Sequence, residues 1–275
     1  MGEAFDVTRY SSAVFDLDGT VWLSEIPISG AIEFVDHCRD AGLSITFATN
    51  ATALSVDHLS TRLVECGLGR ADDAVVTGGS VVASTLARLG VLEVIAECPP
   101  AMAEAIRAEG VAVTTLPVDA AIPDDWTSPL PGRAVVMGAS RAATFGSVER
   151  IAHLASIGHP LYVTSLDPGF PSLGRIEPGG GMLVAAARAL YDIDPIVLGK
   201  PSQPYADAIR QSIPAGGRIV MFSDSQRADI GIAEFLDADG VLVTRGEPRA
   251  DLPQPRYVTA QVGAEVREFA PQVQR

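Results

Sequence analysis

Phe-Asp-Leu-Asp-Gly-Thr, at residues 15–20, closes a short apolar run that starts at Ser12 and predicts a β-strand. In open α/β sheets ligands bind beyond the carboxyl ends of the strands, so Asp16 and Asp18 would both lie beside a ligand there. Two carboxylates this close repel each other and need a cation or a shared proton, and Mg²⁺ binds through such oxygens. The stretch therefore predicts a reactive site in which Asp16 is a nucleophile and Asp18 transfers protons. A plain turn is the alternative, because Asp and Gly are both turn formers.

Beyond this stretch, short β-branched runs bounded by Gly, Asp or Asn alternate with longer helical patterns. This alternation is typical of βα units and predicts an α/β fold built on a doubly wound, Rossmann-like parallel sheet. We predict its strands at residues 12–16, 44–48, 74–77, 196–198, 219–222 and 240–243.

The middle third of the chain has an alternating strand and helix pattern of its own. Between Thr49 and Lys200 there are 151 positions, against 29 between the end of the Asp-Leu-Asp-Gly-Thr motif and Thr49, so an insertion has to lie in the longer interval. A block of this length can form a domain. We therefore predict a discontinuous core formed by residues 1–89 and 190–275, with a smaller α/β domain at residues 90–189 inserted into it.

Five further polar residues follow predicted strands, four of them at or just after a strand end. Thr49 and Asn50 can hydrogen-bond a phosphate oxygen, and Lys200 can neutralise charge on a phosphoryl group. Asp224 adds an acid, and Asp229 follows it near the start of a helix. Taken singly, each residue also fits a plainer interpretation as a helix cap, a first-turn charge or a solvated lysine. Their combination with the acid pair favours phosphoryl transfer, because each supplies a different requirement of that reaction.

The overall charge and the cysteines restrict the classes of partner. Acidic residues number 34 and basic residues 20, a formal net charge of −14 without a basic run, so a polyanion would be repelled. We expect no nucleic acid partner and no membrane partner. Cys38, Cys66 and Cys98 are widely spaced and fit neither a disulfide framework nor a zinc site, which favours a reducing, cytoplasmic location.

Together these residues resemble the signature motifs of the haloacid dehalogenase-like (HAD) hydrolases and, more narrowly, those of the NagD-like phosphatases. The resemblance covers nearly the whole chain. It implies a HAD-like core with a type IIA cap, an α/β domain inserted between the second and third motifs. The segments at residues 164–167 and 178–181 resemble the Thr-Asn-Pro-Asp and Pro-Gly-x-Gly signatures of that cap.

The resemblance also implies a role for each motif residue. Asp16 would be the nucleophile and Asp18 the general acid and base. Thr49, Asn50 and Lys200 would bind the phosphoryl group, either through hydrogen bonds or through charge.

The implied cofactor is Mg²⁺. Its ligands would be Asp16, the backbone carbonyl of Asp18 and the carboxylate of Asp224, with Asp229 supporting the site.

The chain departs from the family pattern at four places. Ser165 and Leu166 replace the usual Asn-Pro, Ser223 replaces a common Gly, Ala51 replaces a common Asn, and residues 138–140 lack an acid often found there. The catalytic set is intact. Three of the departures lie in or near the substrate pocket or the cap, so they bear on the choice of leaving group and not on the reaction.

The sequence therefore predicts a Mg²⁺-dependent phosphatase that hydrolyses a small phosphorylated metabolite, such as a sugar phosphate or a glycerol or triose phosphate, through an aspartyl-phosphate. Ser165 and Asp167 are candidate specificity residues, since an acid suits hydroxyl-bearing leaving groups. The alternative is a catalytically silent protein of the same fold that binds phosphate or has a regulatory role. The resemblance also makes a homodimer possible, through the cap.

Overall fold

The computed structural model describes residues 5–116, 120–172, 174–244 and 246–268. Within these ranges the strands, in chain order, are β1 (Ser12–Phe15), β2 (Trp22–Leu23), β3 (Ile26–Pro27), β4 (Ser44–Thr49), β5 (Ala74–Thr77), β6 (Glu93–Glu97), β7 (Ala112–Thr114), β8 (Arg133–Met137), β9 (Leu161–Val163), β10 (Gly169–Ser172), β11 (Arg175–Pro178), β12 (Ile196–Val197), β13 (Ile219–Ser223), β14 (Asp239–Val243), β15 (Tyr257–Thr259) and β16 (Arg267–Glu268).

The helices of the same ranges are α1 (Ala31–Asp40), α2 (Val56–Glu65), α3 (Gly78–Arg88), α4 (Pro100–Ala108), α5 (Phe145–Ser156), α6 (Gly180–Leu190), α7 (Gln203–Ser212) and α8 (Gly231–Leu236). Short helical turns cover Val7–Arg9 and Asp124–Trp126, and a π-helical turn over Gln226–Ile230 leads into α8. The predicted α/β fold is confirmed.

The larger sheet has the strand order β16-β15-β14-β13-β1-β4-β5 and is parallel except for β16. An inner strand of this sheet, β1, pairs with β13 on one side and with β4 on the other. Successive side chains of β1 enter opposite apolar layers: Phe15 packs with Phe47 and Phe222, whereas Val14 packs among residues of α7 and α8. Helices therefore cover both faces of the sheet, as the doubly wound prediction requires.

The smaller sheet is parallel throughout and has the order β12-β9-β8-β6-β7. Side chains of α4 cover one face, and those of α5 and α6 cover the other. Helix α3 joins the two parts, because Val81 packs in a layer of the larger sheet while Val82 and Leu86 pack with α4.

One predicted strand lies in the other sheet. A strand at residues 196–198 was predicted in the core sheet, but the observed strand β12 (Ile196–Val197) pairs with β9 at the edge of the smaller sheet. The second core segment was predicted to start at residue 190, so β12, the last strand of the smaller sheet, falls inside the predicted core segment. The reason is that a strand of two residues carries no periodicity that could assign it to a sheet. The division of the chain into core and inserted domain otherwise stays a prediction.

Two further findings concern the predictions from composition. None of the helices in the described ranges is long and apolar enough to cross a membrane. The three cysteines are free thiols, and Cys38 and Cys98 are buried.

Candidate active site

The parallel register brings three strand ends to one edge of the larger sheet. Phe15 lies opposite Phe222 of β13 and opposite Phe47 of β4. Asp16 directly follows Phe15. Asp224 lies two positions after Phe222, and Thr49 lies two positions after Phe47. The backbone N–H of Asp16 continues the ladder by donating to the carbonyl of Phe222 at 3.0 Å. The structure thus brings together polar residues that are far apart in sequence.

Lys200 is the buried cation of this edge, with 2% of its surface exposed. Its Nζ donates to Asp16 Oδ1 at 2.7 Å, to the carbonyl of Ala48 at 2.8 Å, and to Asp229 Oδ1. Burial by itself lowers the pKa of Lys200, but the carboxylates of Asp16 and Asp229 outweigh burial and raise that pKa above its ordinary range. The lysine is therefore protonated at neutral pH, and it is the only lysine among the 275 residues.

Asn50 holds the backbone of that lysine. The Asn50 Oδ1 accepts from the backbone N–H of Lys200 at 2.7 Å, and Asn50 Nδ2 donates to the Lys200 carbonyl at 3.1 Å. Two hydrogen bonds to one residue fix its position on the sheet edge. The structure shows Asn50 as a positioning residue for Lys200, and the direct phosphate contact expected of Asn50 stays a prediction.

Thr49 is buried at the end of β4. Its Oγ1 accepts from the backbone N–H of Ala51 at 3.1 Å. Its carbonyl accepts from the hydroxyl of Tyr205 at 2.8 Å, and the same hydroxyl lies 2.9 Å from the carbonyl of Val76. Tyr205, on α7, is fully buried and so ties the ends of β4 and β5 to that helix.

Asp18 lies on the loop that leaves β1 and is held by that loop. Its Oδ1 accepts from the backbone N–H of Ser24 at 3.3 Å. Burial, and then the charge of Asp16, raise the pKa of Asp18 to about 6. A carboxyl group with this pKa can both give and take a proton near neutral pH, as a general acid and base must.

Asp224 and Asp229 follow β13. The backbone N–H of Asp224 donates to Thr20 Oγ1 at 3.0 Å, which joins the first motif to the last. Burial, and then the charges of Asp16 and Asp229, raise the pKa of Asp224 to about 8. Asp229 is 1% exposed, and its carboxylate pairs with the Lys200 ammonium.

The charges of the site fit a divalent cation. Four acidic side chains, those of Asp16, Asp18, Asp224 and Asp229, share this edge of the sheet with the single ammonium of Lys200. Burial, and then the charges of Asp16 and Asp229, disfavour the ionised form of Asp224, and a divalent cation beside it would favour that form. In the described part of the chain, no three His, Cys, Asp or Glu side chains form a group that could hold a metal ion. The predicted ligand set needs only two side chains, with a backbone carbonyl as the third ligand.

The two candidate specificity residues, Ser165 and Asp167, lie in the turn that follows β9, a strand of the smaller sheet. Ser165 Oγ donates to Asp167 Oδ2 at 3.0 Å and accepts from the backbone N–H of Asp167 at 2.9 Å. The carbonyl of Asp167 accepts from the backbone N–H of Gly181 at the start of α6. Directly before this turn, the Thr164 carbonyl packs on Gly199 so closely that a Cβ there would lie 1.8 Å from it. The turn therefore lies beside the segment that carries Lys200, and its role in specificity stays a prediction.

Sequence reasoning assigned no role to several residues that shape the site. Thr20 holds Asp224, Ser24 holds Asp18, and Tyr205 holds Thr49. Thr20 lies inside the quoted motif and could have been found there. Ser24 and Tyr205 act through contacts that no local sequence pattern predicts.

Comparisons with known proteins agree with this geometry. The family described as haloacid dehalogenase-like hydrolase matches residues 13–112, and the family described as HAD-hydrolase-like matches residues 197–268. The D-glycerol 3-phosphate phosphatase of Mycobacterium tuberculosis is 30% identical over 267 residues, which cover 97% of this chain and 68% of that protein.

Two solved structures share the fold. A glycerol phosphate phosphatase from Mycobacterium tuberculosis in complex with magnesium has a TM-score of 0.77 at 24% identity, over 94% of this chain and 78% of that one. NagD from E. coli has a TM-score of 0.76 at 20% identity, over 92% of this chain and 97% of that one. The resemblance of the motifs to those of the haloacid dehalogenase-like hydrolases is thereby confirmed, and the chain belongs to that family.

Proposed function

We propose that this protein is a Mg²⁺-dependent phosphatase that hydrolyses small phosphate esters through an aspartyl-phosphate on Asp16. The observation that carries the proposal is the buried contact between Lys200 Nζ and Asp16 Oδ1 at 2.7 Å. An ammonium in this place pairs with one oxygen of the Asp16 carboxylate, leaves the other oxygen for attack, and adds positive charge where a phosphoryl group would bind. The curated relative named above acts on a glycerol phosphate, which supports an ester of that size.

In the first step, the Oδ atom of Asp16 that does not face Lys200 forms a bond to phosphorus. The bond between phosphorus and the leaving oxygen breaks, and Asp18 gives its proton to that oxygen, so a neutral alcohol departs. The pKa of about 6 for Asp18 means that part of the population carries this proton near neutral pH.

In the second step, Asp18, now ionised, takes a proton from a water molecule as the water oxygen bonds to phosphorus. The bond between phosphorus and the Asp16 oxygen breaks, which restores the Asp16 carboxylate and frees inorganic phosphate. Thr49 and the Lys200 ammonium would hold the phosphoryl oxygens in place during both steps. Asn50 would act on this contact by fixing the lysine backbone.

The residues that would hold Mg²⁺ are Asp16, the carbonyl of Asp18 and Asp224. When bound, the ion would neutralise charge on the phosphoryl oxygens and relieve the repulsion between the acids. Asp229 stabilises the site by its pair with Lys200. Ser165 and Asp167 are proposed to contribute to the choice of leaving group.

The test is release of inorganic phosphate from a panel of small esters and an aryl phosphate, with Mg²⁺ and with a chelator. We expect release that needs Mg²⁺ and falls below detection in Asp16→Asn. The matched control is Asp72→Asn, which makes the same change at an exposed carboxylate and should leave the rate as it is. Turnover by Asp16→Asn, or an absence of turnover by the native chain on every ester, contradicts the proposal. Phosphate binding without turnover would favour the silent phosphate-binding alternative.

A further inference from the structure

Strands β10 and β11 form an antiparallel hairpin in the inserted part of the chain. Ser172 lies opposite Arg175, and Phe170 lies opposite Glu177. Side chains of directly opposed residues share one face of a hairpin, and residues two apart on a strand share it too. Arg175, Glu177 and Ser172 therefore lie on the same face, while Ile176 lies on the other face and is 72% exposed.

The face with Arg175 is turned toward the catalytic loop. Ser172 Oγ lies 2.9 Å from Ser24 Oγ, and the backbone N–H of Ser24 donates to Asp18 Oδ1 at 3.3 Å. Two hydrogen bonds thus connect the hairpin to the proposed general acid. A substrate whose leaving oxygen lies at Asp18 would extend its leaving group toward this hairpin.

A second cation joins Arg175 on this face. Glu177 is 8% exposed on its side chain and accepts from Arg175 Nε at 2.6 Å and from Arg141 Nη2. The hydrogen bond from Arg175 lowers the pKa of Glu177, so the carboxylate is ionised. Two guanidinium groups on one carboxylate leave an excess charge of +1, in a chain whose net charge is −14.

The two arginines remain accessible to a ligand. Each side chain is 69% exposed, and a guanidinium has five N–H donors, of which Glu177 engages one or two. Glu177 thereby holds the two guanidinium groups in position and leaves outward donors. Planar forks of this kind bind carboxylate and phosphate oxygens in pairs.

We propose that Arg141 and Arg175 bind a second anionic group of the substrate, so that the enzyme prefers phosphate esters whose leaving alcohol carries a carboxylate or another phosphate. The inference rests on the proposed phosphatase function and names the substrate class of the same site. Both arginines are specificity residues, since they contact the leaving group away from the reacting atoms.

A matched pair of esters tests the proposal. 3-Phosphoglycerate and glycerol 3-phosphate share the phosphate, its carbon and the adjacent hydroxyl carbon, and they differ in a carboxylate against a hydroxymethyl group. We expect the native enzyme to have a kcat/KM about ten-fold higher for 3-phosphoglycerate, because a hydrogen bond between charged groups contributes about that factor. Arg175→Gln and Arg141→Gln should lower this ratio toward one, through a KM that rises more for 3-phosphoglycerate than for glycerol 3-phosphate. Arg107→Gln, an exposed arginine of α4, is the control.

Two results would overturn the inference: a native ratio near one, or an equal loss for both esters in the arginine variants. A binding measurement separates this failure from failure of the phosphatase. Asp16→Asn should bind 3-phosphoglycerate more tightly than glycerol 3-phosphate, and Arg175→Gln in that background should remove the difference. If no ester is hydrolysed but this difference is found, the phosphatase proposal fails and the anion site stands.

Discussion

The two sides of the site hold their cations in different ways. On the core side, Lys200 is buried and its ammonium has three oxygen partners, from Asp16, Ala48 and Asp229. On the hairpin side, Arg141 and Arg175 are mostly exposed and share one carboxylate. A buried charge cannot lose a partner without a large desolvation cost, whereas an exposed charge exchanges partners with water at little cost. The difference supports the proposal that the core side carries out the reaction and the hairpin side selects the substrate.

The largest effect should come from removing the buried cation. Lys200→Met leaves the carboxylates of Asp16 and Asp229 buried without a counter-charge, so we expect a loss of about 3 to 5 kcal/mol in the free energy of unfolding. Phosphate release from the folded fraction should fall by about 10³-fold, because the charge that assists the phosphoryl group is lost. Urea unfolding and a phosphate assay with each ester measure the two effects.

The control for Lys200→Met is Arg210→Met, which removes a half-exposed cation from α7. Its effect on stability should be within about 0.5 kcal/mol, as for most surface changes. The comparison between the two sides also predicts that Lys200→Met lowers the rates for all esters by the same factor. A variant that spared one of the two test esters would contradict the assignment of the reaction to the core side.

A smaller effect is expected from pH, in the protein without metal. The pKa of Asp224 is raised from its ordinary value of 3.8 to about 8, by burial first and then by Asp16 and Asp229. The folded state therefore keeps a proton that the unfolded state has lost, so the stabilisation is complete below pH 3.8 and disappears as pH rises through 8. Between pH 5 and pH 8 we expect the free energy of unfolding to fall by about 2 to 4 kcal/mol.

Asp224→Asn should reduce this pH dependence, because its amide does not titrate. Part of the slope should remain, since burial also raises the pKa of Asp229 to about 7 and that of Asp18 to about 6. Asp72→Asn should keep the full slope. Urea titrations at pH 5 and pH 8 with a chelator provide the measurement, and the same slope in Asp224→Asn and native protein would show that Asp224 is ionised across this range.

The core side could be predicted from sequence because parallel strands end at one edge. Once β1, β4 and β13 were recognised as strands, the residues after them had to meet there, whatever their separation along the chain. Asp16, Thr49 and Asp224 are such residues, and the family motifs added Lys200. The position of Asn50 on the lysine backbone could not be predicted, since a phosphate contact and a backbone contact use the same amide.

The hairpin side could not be predicted in this way. The strand β10 contains Gly169 and a proline, which weaken a strand prediction, and β11 is only four residues long. Arg141 lies 34 positions before Arg175 in sequence, so only the folded chain brings both to Glu177. Ser24 has a positive φ of 52°, a conformation unusual for serine that no local pattern indicates.

The smallest expected effect concerns the contact at which the two sides meet. Ser24 Oγ and Ser172 Oγ lie 2.9 Å apart near the surface, so their hydrogen bond competes with water and should contribute about 0.5 to 1 kcal/mol. A double-mutant cycle with Ser24→Ala and Ser172→Ala isolates the contribution of this hydrogen bond. We expect a coupling of about 2- to 5-fold in kcat/KM for 3-phosphoglycerate, because the bond holds the hairpin over the bound leaving group.

The same cycle on an aryl phosphate sharpens the comparison. An aryl leaving group offers the arginines no anion, so its kcat/KM should depend on the core side and show a coupling close to one. Ser156→Ala, which removes an exposed hydroxyl at the end of α5, is the matched control and should couple with neither serine. Equal coupling for both esters would mean that the contact positions Asp18 through Ser24 for every substrate. The hydrogen bond would then belong to the machinery of the reaction, and the boundary between the two sides would lie at Ser172 instead of at Ser24.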